Sequence, residues 1–191
     1  MDFDSSPLGP IALRARAKGV FFAAVVAGVV VVDLLTKQMV TRALPPGQPV
    51  PVVGDYVTLL FIQNPGVAFG IELGPYGQWI MVGLSFAALM LLGTMYRTTA
   101  PQDRRRLLAM ALVWGGAIGN MIDRLRSARG VVDFLVFQYQ DWQSPVFNVA
   151  DVAVTSGAIL LALCLWQEKV PVPAPAQERR RGAGPARTLP G

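Results

Sequence analysis

With no histidine and a single cysteine, Cys164, among 191 residues, the usual zinc ligands are missing and no disulfide framework can form. Chemistry here must come from carboxylates, amides, hydroxyls, lysine or arginine. Two acids stand out. Asp133 lies among Val131, Val132, Phe134 and Leu135 with no cation beside it in sequence. Asp151 opens an apolar run, with no basic residue within one helical turn and no further charge before Glu168. Out of water, a carboxylate is driven towards its neutral form, so such acids need a partner or a purpose. Two of them a few Å apart share one proton. That serves aspartic proteolysis, in which an ionised carboxylate deprotonates water while its protonated neighbour donates to the scissile carbonyl. The same acids could instead carry a proton or cation in a small coupled transporter, or cap helices, and the residues alone leave these alternatives open.

The other polar residues fall at helical spacings. Asp33 and Lys37 are four apart with the acid first, which predicts an ion pair on one helical face as readily as a catalytic role. Asn120, Asp123 and Arg124 share a face in the same way; Asp123 could pair with Arg124, or Arg124 could present its donors to a peptide carbonyl. Asn148 and Asp151 repeat the amide-x-x-acid spacing. Gly115 and Gly119 form a small-xxx-small pair suited to close helix packing. The run Asn64-Pro-Gly66 reads as a turn after a strand, where Asn64 could hydrogen-bond an extended backbone.

These residues need elements to hold them, and the composition says which kind. Hydrophobic residues make up 53% of the chain and charged ones 15%, with a mean hydropathy of +0.45, which points to a membrane. Four stretches approach the roughly 20 residues that cross a bilayer as helix: about 19–40, 78–96, 107–122 and 147–166. The first could be read as a cleaved signal peptide, but no small-x-small site follows Val32 and the apolar pattern resumes through Val40. Basic residues collect in three segments, around Arg14–Lys18, Arg97–Arg106 and Lys169–Arg187, which hold 12 of the 17. With four spans all three fall on one side, so both termini are predicted cytoplasmic. The outer side then receives the loops at about 43–77 and 123–146, with Asp133 and Asp151 at its boundary.

The fold expected is thus mainly α: four transmembrane helices over 19–168, preceded by a cytoplasmic segment 1–18. In the first outer loop, Val50 to Ile62 is β-branched and aromatic, broken at Gly54-Asp55, which predicts a small hairpin or sheet at the membrane surface. In the second, Gly130 to Phe137 is apolar but too short to span, and is expected to rest in the interface with Trp142 nearby. Residues 169–191 are rich in Pro, Ala, Gly and Arg and read as a disordered cytoplasmic tail. Nothing suggests a nucleic-acid partner, and nothing requires more than a monomer.

Four ordered blocks between about Val20 and Trp166 resemble the lipoprotein signal peptidase (signal peptidase II) family. They are Asp33-Leu-Leu-Thr-Lys37; Asn64-Pro-Gly-Val-Ala-Phe69; Gly115-Gly-Ala-Ile-Gly-Asn-Met-Ile-Asp-Arg124 leading to Val131-Val-Asp133-Phe; and Phe147-Asn-Val-Ala-Asp151. Val67 departs from the family pattern, which more often has Ala there, and Arg126 and Arg129 add basic character before Gly130. The resemblance implies that Asp133 and Asp151 form the catalytic dyad. It implies supporting roles around the dyad and substrate for Asp33, Lys37, Asn64, Gly66, Asn120, Asp123, Arg124 and Asn148. The substrate implied is a prolipoprotein whose lipobox cysteine bears a diacylglyceryl group, cut just before that cysteine at the outer face of the bacterial inner membrane, among membrane lipid. No metal or organic cofactor is implied.

Overall fold

The computed structural model describes residues 9–68, 71–72 and 74–168. The expected tail over 169–191 lies outside them. The order of elements is α1 (Pro10–Ala43), β1 (Pro49–Val53), β2 (Val57–Asn64), β3 (Val67–Ala68), β4 (Ile71–Glu72), a short 3-10 turn (Gly74–Tyr76), α2 (Gly77–Thr98), α3 (Arg104–Arg126), β5 (Val131–Tyr139), β6 (Trp142–Gln143) and α4 (Val149–Glu168).

Stretches in α1, α2 and α4, namely Ile11–Ala43, Gly74–Thr98 and Val149–Gln167, are long and apolar enough to cross a membrane. They turn much of that apolar surface outward: Val31, Leu35, Leu84, Leu91, Ile159 and Leu163 are all exposed. A water-soluble domain would bury such a surface, and a bilayer covers it. Helix α3 differs. It packs against α1, α2 and α4, and its buried face runs from Leu107 through Met110, Gly115, Gly116 and Gly119 to Asn120 and Arg124. Enclosed by neighbours, it needs small residues more than apolar ones. A methyl on Gly115 would lie 2.6 Å from Val29 Cβ, and one on Gly119 2.6 Å from Asp33 Oδ2. A methyl on Gly116 would meet the carbonyl of Ala150. The small-xxx-small pattern thus sets how closely α1 and α4 approach α3.

Helix α1 begins at Pro10, ahead of the span expected from Gly19, so Arg14, Arg16 and Lys18 are already helical. Lys18 is buried at this end: its ammonium donates to the carbonyls of Tyr96 at 2.5 Å and Thr99 at 2.7 Å and lies 4.2 Å from the centre of the Tyr96 ring. It therefore fastens the start of α1 to the end of α2, where a cation satisfies exposed helix carbonyls. Phe22, Leu92, Leu107, Met110 and Ala111 form a core beside it.

At the opposite end stands a four-stranded antiparallel sheet of order β1-β2-β5-β6. The hairpin expected within Val50 to Ile62 is present as β1 and β2. The segment expected to rest in the interface forms strand β5, paired along β2 with Ile62 opposite Asp133 and Asn64 opposite Val131. Its run is apolar rather than alternating because β5 is covered on both faces: Val131, Phe134 and Val136 are all buried. Phe61 and Phe134 pack on Val40 near the end of α1, seating the sheet on the bundle.

Candidate active site

Three connections bring the sequence-predicted residues together. The first joins β5 to the start of α4. The N–H groups of Phe134 and Leu135 donate to the carbonyl of Phe147 at 3.0 and 2.8 Å, and Phe147 returns a bond to Leu135 at 3.0 Å. Asp133 is thereby set against the first turn of α4. Asn148 precedes that helix and caps it: its Oδ1 accepts from the Asp151 N–H at 2.9 Å, while the Asn148 N–H donates back to Asp151 Oδ2 at 3.2 Å. This is a reciprocal capping arrangement built from Asn and Asp, and it fixes both side chains. With its oxygen occupied, the Asn148 amide turns its nitrogen to Asp133 Oδ1, 2.6 Å away. One residue thus bridges the two carboxylates.

The second connection runs through β2. Gly66 donates its N–H to Asn64 Oδ1 at 3.0 Å, which orients the amide so that Nδ2 reaches Asp133 Oδ2 at 3.0 Å. The turn requires glycine: Gly66 has φ +132°, and a methyl there would lie 2.7 Å from the Gly77 carbonyl carbon. Gly130 opens β5 under the same constraint, with φ +88° and no room for a side chain against the Asn64 carbonyl.

The third connection is the cluster between α1 and α3. Lys37 is paired with Asp33 at 2.7 Å, as the spacing predicts, and also with Asp123 at 2.9 Å. It further donates to Asn120 Oδ1 at 2.9 Å. Asn120 Nδ2 donates to Asp151 Oδ1 at 2.8 Å. Asp33 Oδ1 accepts the Ala150 N–H at 2.9 Å, tying α1 to the first turn of α4. Asp123 Oδ2 accepts the Val132 N–H at 3.3 Å, next to Asp133.

The local pairing of Asp123 with Arg124 is not formed, because Lys37 arrives from α1 and claims Asp123. Arg124 is buried and makes a long 3.4 Å bond to the Asn120 carbonyl, while its Nε meets no hydrogen-bond acceptor among the described residues. Gln78, which the sequence did not single out, holds this corner by donating to the Arg124 carbonyl at 2.5 Å. As an uncharged polar residue at the start of a span, it carries no signal by itself.

Both carboxylates therefore accept amide hydrogens on both oxygens, and among the described residues neither forms an ion pair. Asp133 is only 3% exposed. Burial pushes its carboxyl up to about 6 from the ordinary 3.8; the neighbouring Asp151 adds to the rise, while the amides of Asn64 and Asn148 and the charge of Lys37 oppose it. Among the described residues, no group of three or more metal-binding side chains comes together in a way that could hold an ion. Beside Asp151 a groove of about 340 Å³ opens along α4, lined by Phe147, Val152, Thr155, Ser156 and Ile159.

This arrangement has relatives. A family model described as signal peptidase (SPase) II matches residues 25–167. The lipoprotein signal peptidase of Symbiobacterium thermophilum is 42% identical over 138 residues, covering 71% of this chain and 88% of its own. That of Pseudoalteromonas atlantica is 35% identical over 156 residues, covering 81% and 94%. A solved bacterial membrane enzyme is similar with a TM-score of 0.70 at 26% identity, covering 79% of this chain and 93% of its own. The matched region contains every residue of the carboxylate cluster, and the chain belongs to the signal peptidase II family.

Proposed function

We propose that this chain is a membrane aspartic endopeptidase that removes the signal peptide from diacylglyceryl-modified prolipoproteins, cutting just before the lipidated cysteine. The observation that carries the reading is the pair Asp133 and Asp151, bridged by Asn148 and held by amides rather than cations. A carboxylate neutralised by lysine is a poor base and cannot donate a proton. Two neighbouring carboxylates, Asp133 buried and Asp151 half-buried, held by neutral donors keep one proton between them and supply both forms. The relatives named lipoprotein signal peptidase support the substrate class; the competing reading as a cation-coupled transporter finds no support among them.

In the proposed reaction the ionised member takes a proton from water, whose oxygen attacks the scissile carbonyl carbon. The protonated member donates to the carbonyl oxygen, giving a neutral tetrahedral diol. As this collapses, the C–N bond breaks, the amine of the cysteine leaves with a proton, and the signal peptide departs as a carboxylic acid. Asp151 lies in the first turn of α4, where the positive end of the helix dipole favours an anion, and is cast as the ionised base. Asp133, raised by burial, is cast as the acid.

The reading places α3 as a fourth span and both termini in the cytoplasm, from the distribution of basic residues. The dyad then faces the outer leaflet of a bacterial inner membrane, where a lipid-anchored cysteine presents its peptide bond. The groove along α4 suits an apolar chain reaching Asp151 from the bilayer, and a single copy of the chain suffices. The test is cleavage by the purified protein, in lipid, of a diacylglyceryl-modified precursor, with mass spectrometry of the product N-terminus. A new N-terminal lipidated cysteine is expected. An unmodified precursor cut equally well, or full activity in Asp151→Asn, refutes the proposal.

A further inference from the structure

Lys37 lies too deep to meet a substrate. Its side chain is 4% exposed, and its ammonium lies 2.7 Å from Asp33 Oδ2 and 2.9 Å from Asp123 Oδ2 and donates to Asn120 Oδ1 at 2.9 Å. The last of these bonds has a consequence for the dyad. An asparagine side chain has an oxygen end and a nitrogen end of nearly equal size, and only hydrogen bonding decides which end faces which neighbour. An ammonium can only donate. It therefore holds the oxygen of Asn120 towards α1, where Asn148 Nδ2 also donates to it at 3.1 Å. The nitrogen of Asn120 is left facing Asp151 Oδ1 at 2.8 Å.

We propose that Lys37 is a positioning residue that acts on the dyad through Asn120, by fixing the polarity of the amide that faces Asp151. With the nitrogen end presented, Asp151 meets a donor and can carry charge. Were the amide reversed, two oxygens would face each other, and that contact is tolerable only with a proton between them. Lys37, with the cap-held Asn148 Nδ2 donating more weakly to the same oxygen, thus selects the ionised dyad without touching either acid. Asn148 needs no such help, since the cap of α4 already fixes its oxygen. The charged and titratable groups around Asp151 are Asp33 and Lys37 from α1, Asp123 and Arg124 from α3, and Asp133 from β5.

The inference rests on the dyad reading, and its test keeps the two apart. Cleavage of the diacylglyceryl-modified precursor is followed against pH for the full chain in lipid, with kcat and KM separated. Two variants are compared with Asp133→Asn and Asp151→Asn. Asn120→Leu is near-isosteric and removes the donor without adding charge. The combined variant Lys37→Met, Asp33→Asn, Asp123→Asn removes the lysine while sparing Asp33 Oδ1 and the backbone bonds it makes.

In both variants the acidic limb of the pH–rate profile is expected to move to higher pH by about one unit, with kcat reduced about tenfold and KM little changed. The combined variant also loses one net negative charge, which by itself would move that limb to lower pH, so the direction separates the relay from simple electrostatics. An unmoved or lowered limb in the combined variant overturns the proposal. So does failure of that variant to fold, which would make Lys37 purely structural. Activity retained in Asp133→Asn or Asp151→Asn would instead overturn the dyad reading beneath it.

Discussion

Four aspartates lie within one cluster of side chains, and they fall into two kinds. Asp33 and Asp123 share one lysine, and their second task is to hold backbone N–H groups of Ala150 and Val132. Asp133 and Asp151 accept only from amides and backbone. The first kind shares one ammonium, which offsets one of its two charges, and the bond network it anchors connects α1, α3, α4 and β5. The second kind, Asp133 buried and Asp151 half-buried, forms no ion pair among the described residues, and the proposed reaction uses that to keep a proton mobile. On the proposed function, stability and reactivity fall to neighbouring residues of the same type according to where one ammonium sits.

That contrast can be broken at several points. The largest effect is expected from Asp151→Asn or Asp133→Asn: turnover of the lipid-modified precursor should fall by about 10³- to 10⁴-fold, with the double variant no worse than the singles. Additive losses in a cleavage assay would show that the two acids do not act as a unit. Next, Lys37→Met leaves the buried Asp33 and the half-buried Asp123 without their cation and should cost about 3–5 kcal/mol, measured as loss of thermal or denaturant resistance in detergent. Indifference there would erase the distinction between the two kinds.

A smaller loss, about 2 kcal/mol, is expected for Lys18→Met, which strips charge-assisted bonds from the far end of the bundle. Its kcat should be unchanged, and a changed kcat would mean the two ends are coupled. The smallest effect sharpens the contrast by pH. The Asn64 amide opposes the rise of the Asp133 carboxyl towards about 6, so Asn64→Leu should lift it further. A folded-state value raised above the unfolded 3.8 penalises the native protein progressively as pH climbs from 3.8 towards the raised value. Asn64→Leu should therefore extend that loss of stability to higher pH than in the parent, by about half a unit to one unit. Titrating the carboxyl by infrared spectroscopy checks the shift.

Much of this is legible in the chain because its cues are local. The apolar stretches announce α1, α2 and α4, and the four-residue spacing of Asp33 and Lys37 announces their ion pair. The Asn148-x-x-Asp151 spacing proves to be a helix cap, visible at three residues' range. What stays hidden comes from far along the sequence. Nothing near Asp123 reveals that its cation is Lys37 rather than Arg124, since that choice depends on how closely Gly119 lets α1 approach. The strand character of β5 goes unforeseen because its partner strand β2 lies some seventy residues earlier, as in the bond from Asn64 to Asp133. The bridge between the two acids is half local, since Asn148 lies three residues from Asp151 and fifteen from Asp133.

The two buried lysines of α1 have one more consequence. At the usual helical rise, Lys18 and Lys37 stand about 28 Å apart along the axis, nearly the roughly 30 Å thickness of a bilayer's hydrocarbon layer. Each is clamped by protein groups rather than by lipid headgroups. The height of the carboxylate cluster above the opposite end is therefore set by a rigid rod, and a thicker or thinner membrane must deform around it. A lipid-tethered peptide bond cut by the proposed dyad would float with its leaflet while Asp133 and Asp151 do not, so the proposal makes acyl-chain length itself a determinant of which bonds come within reach.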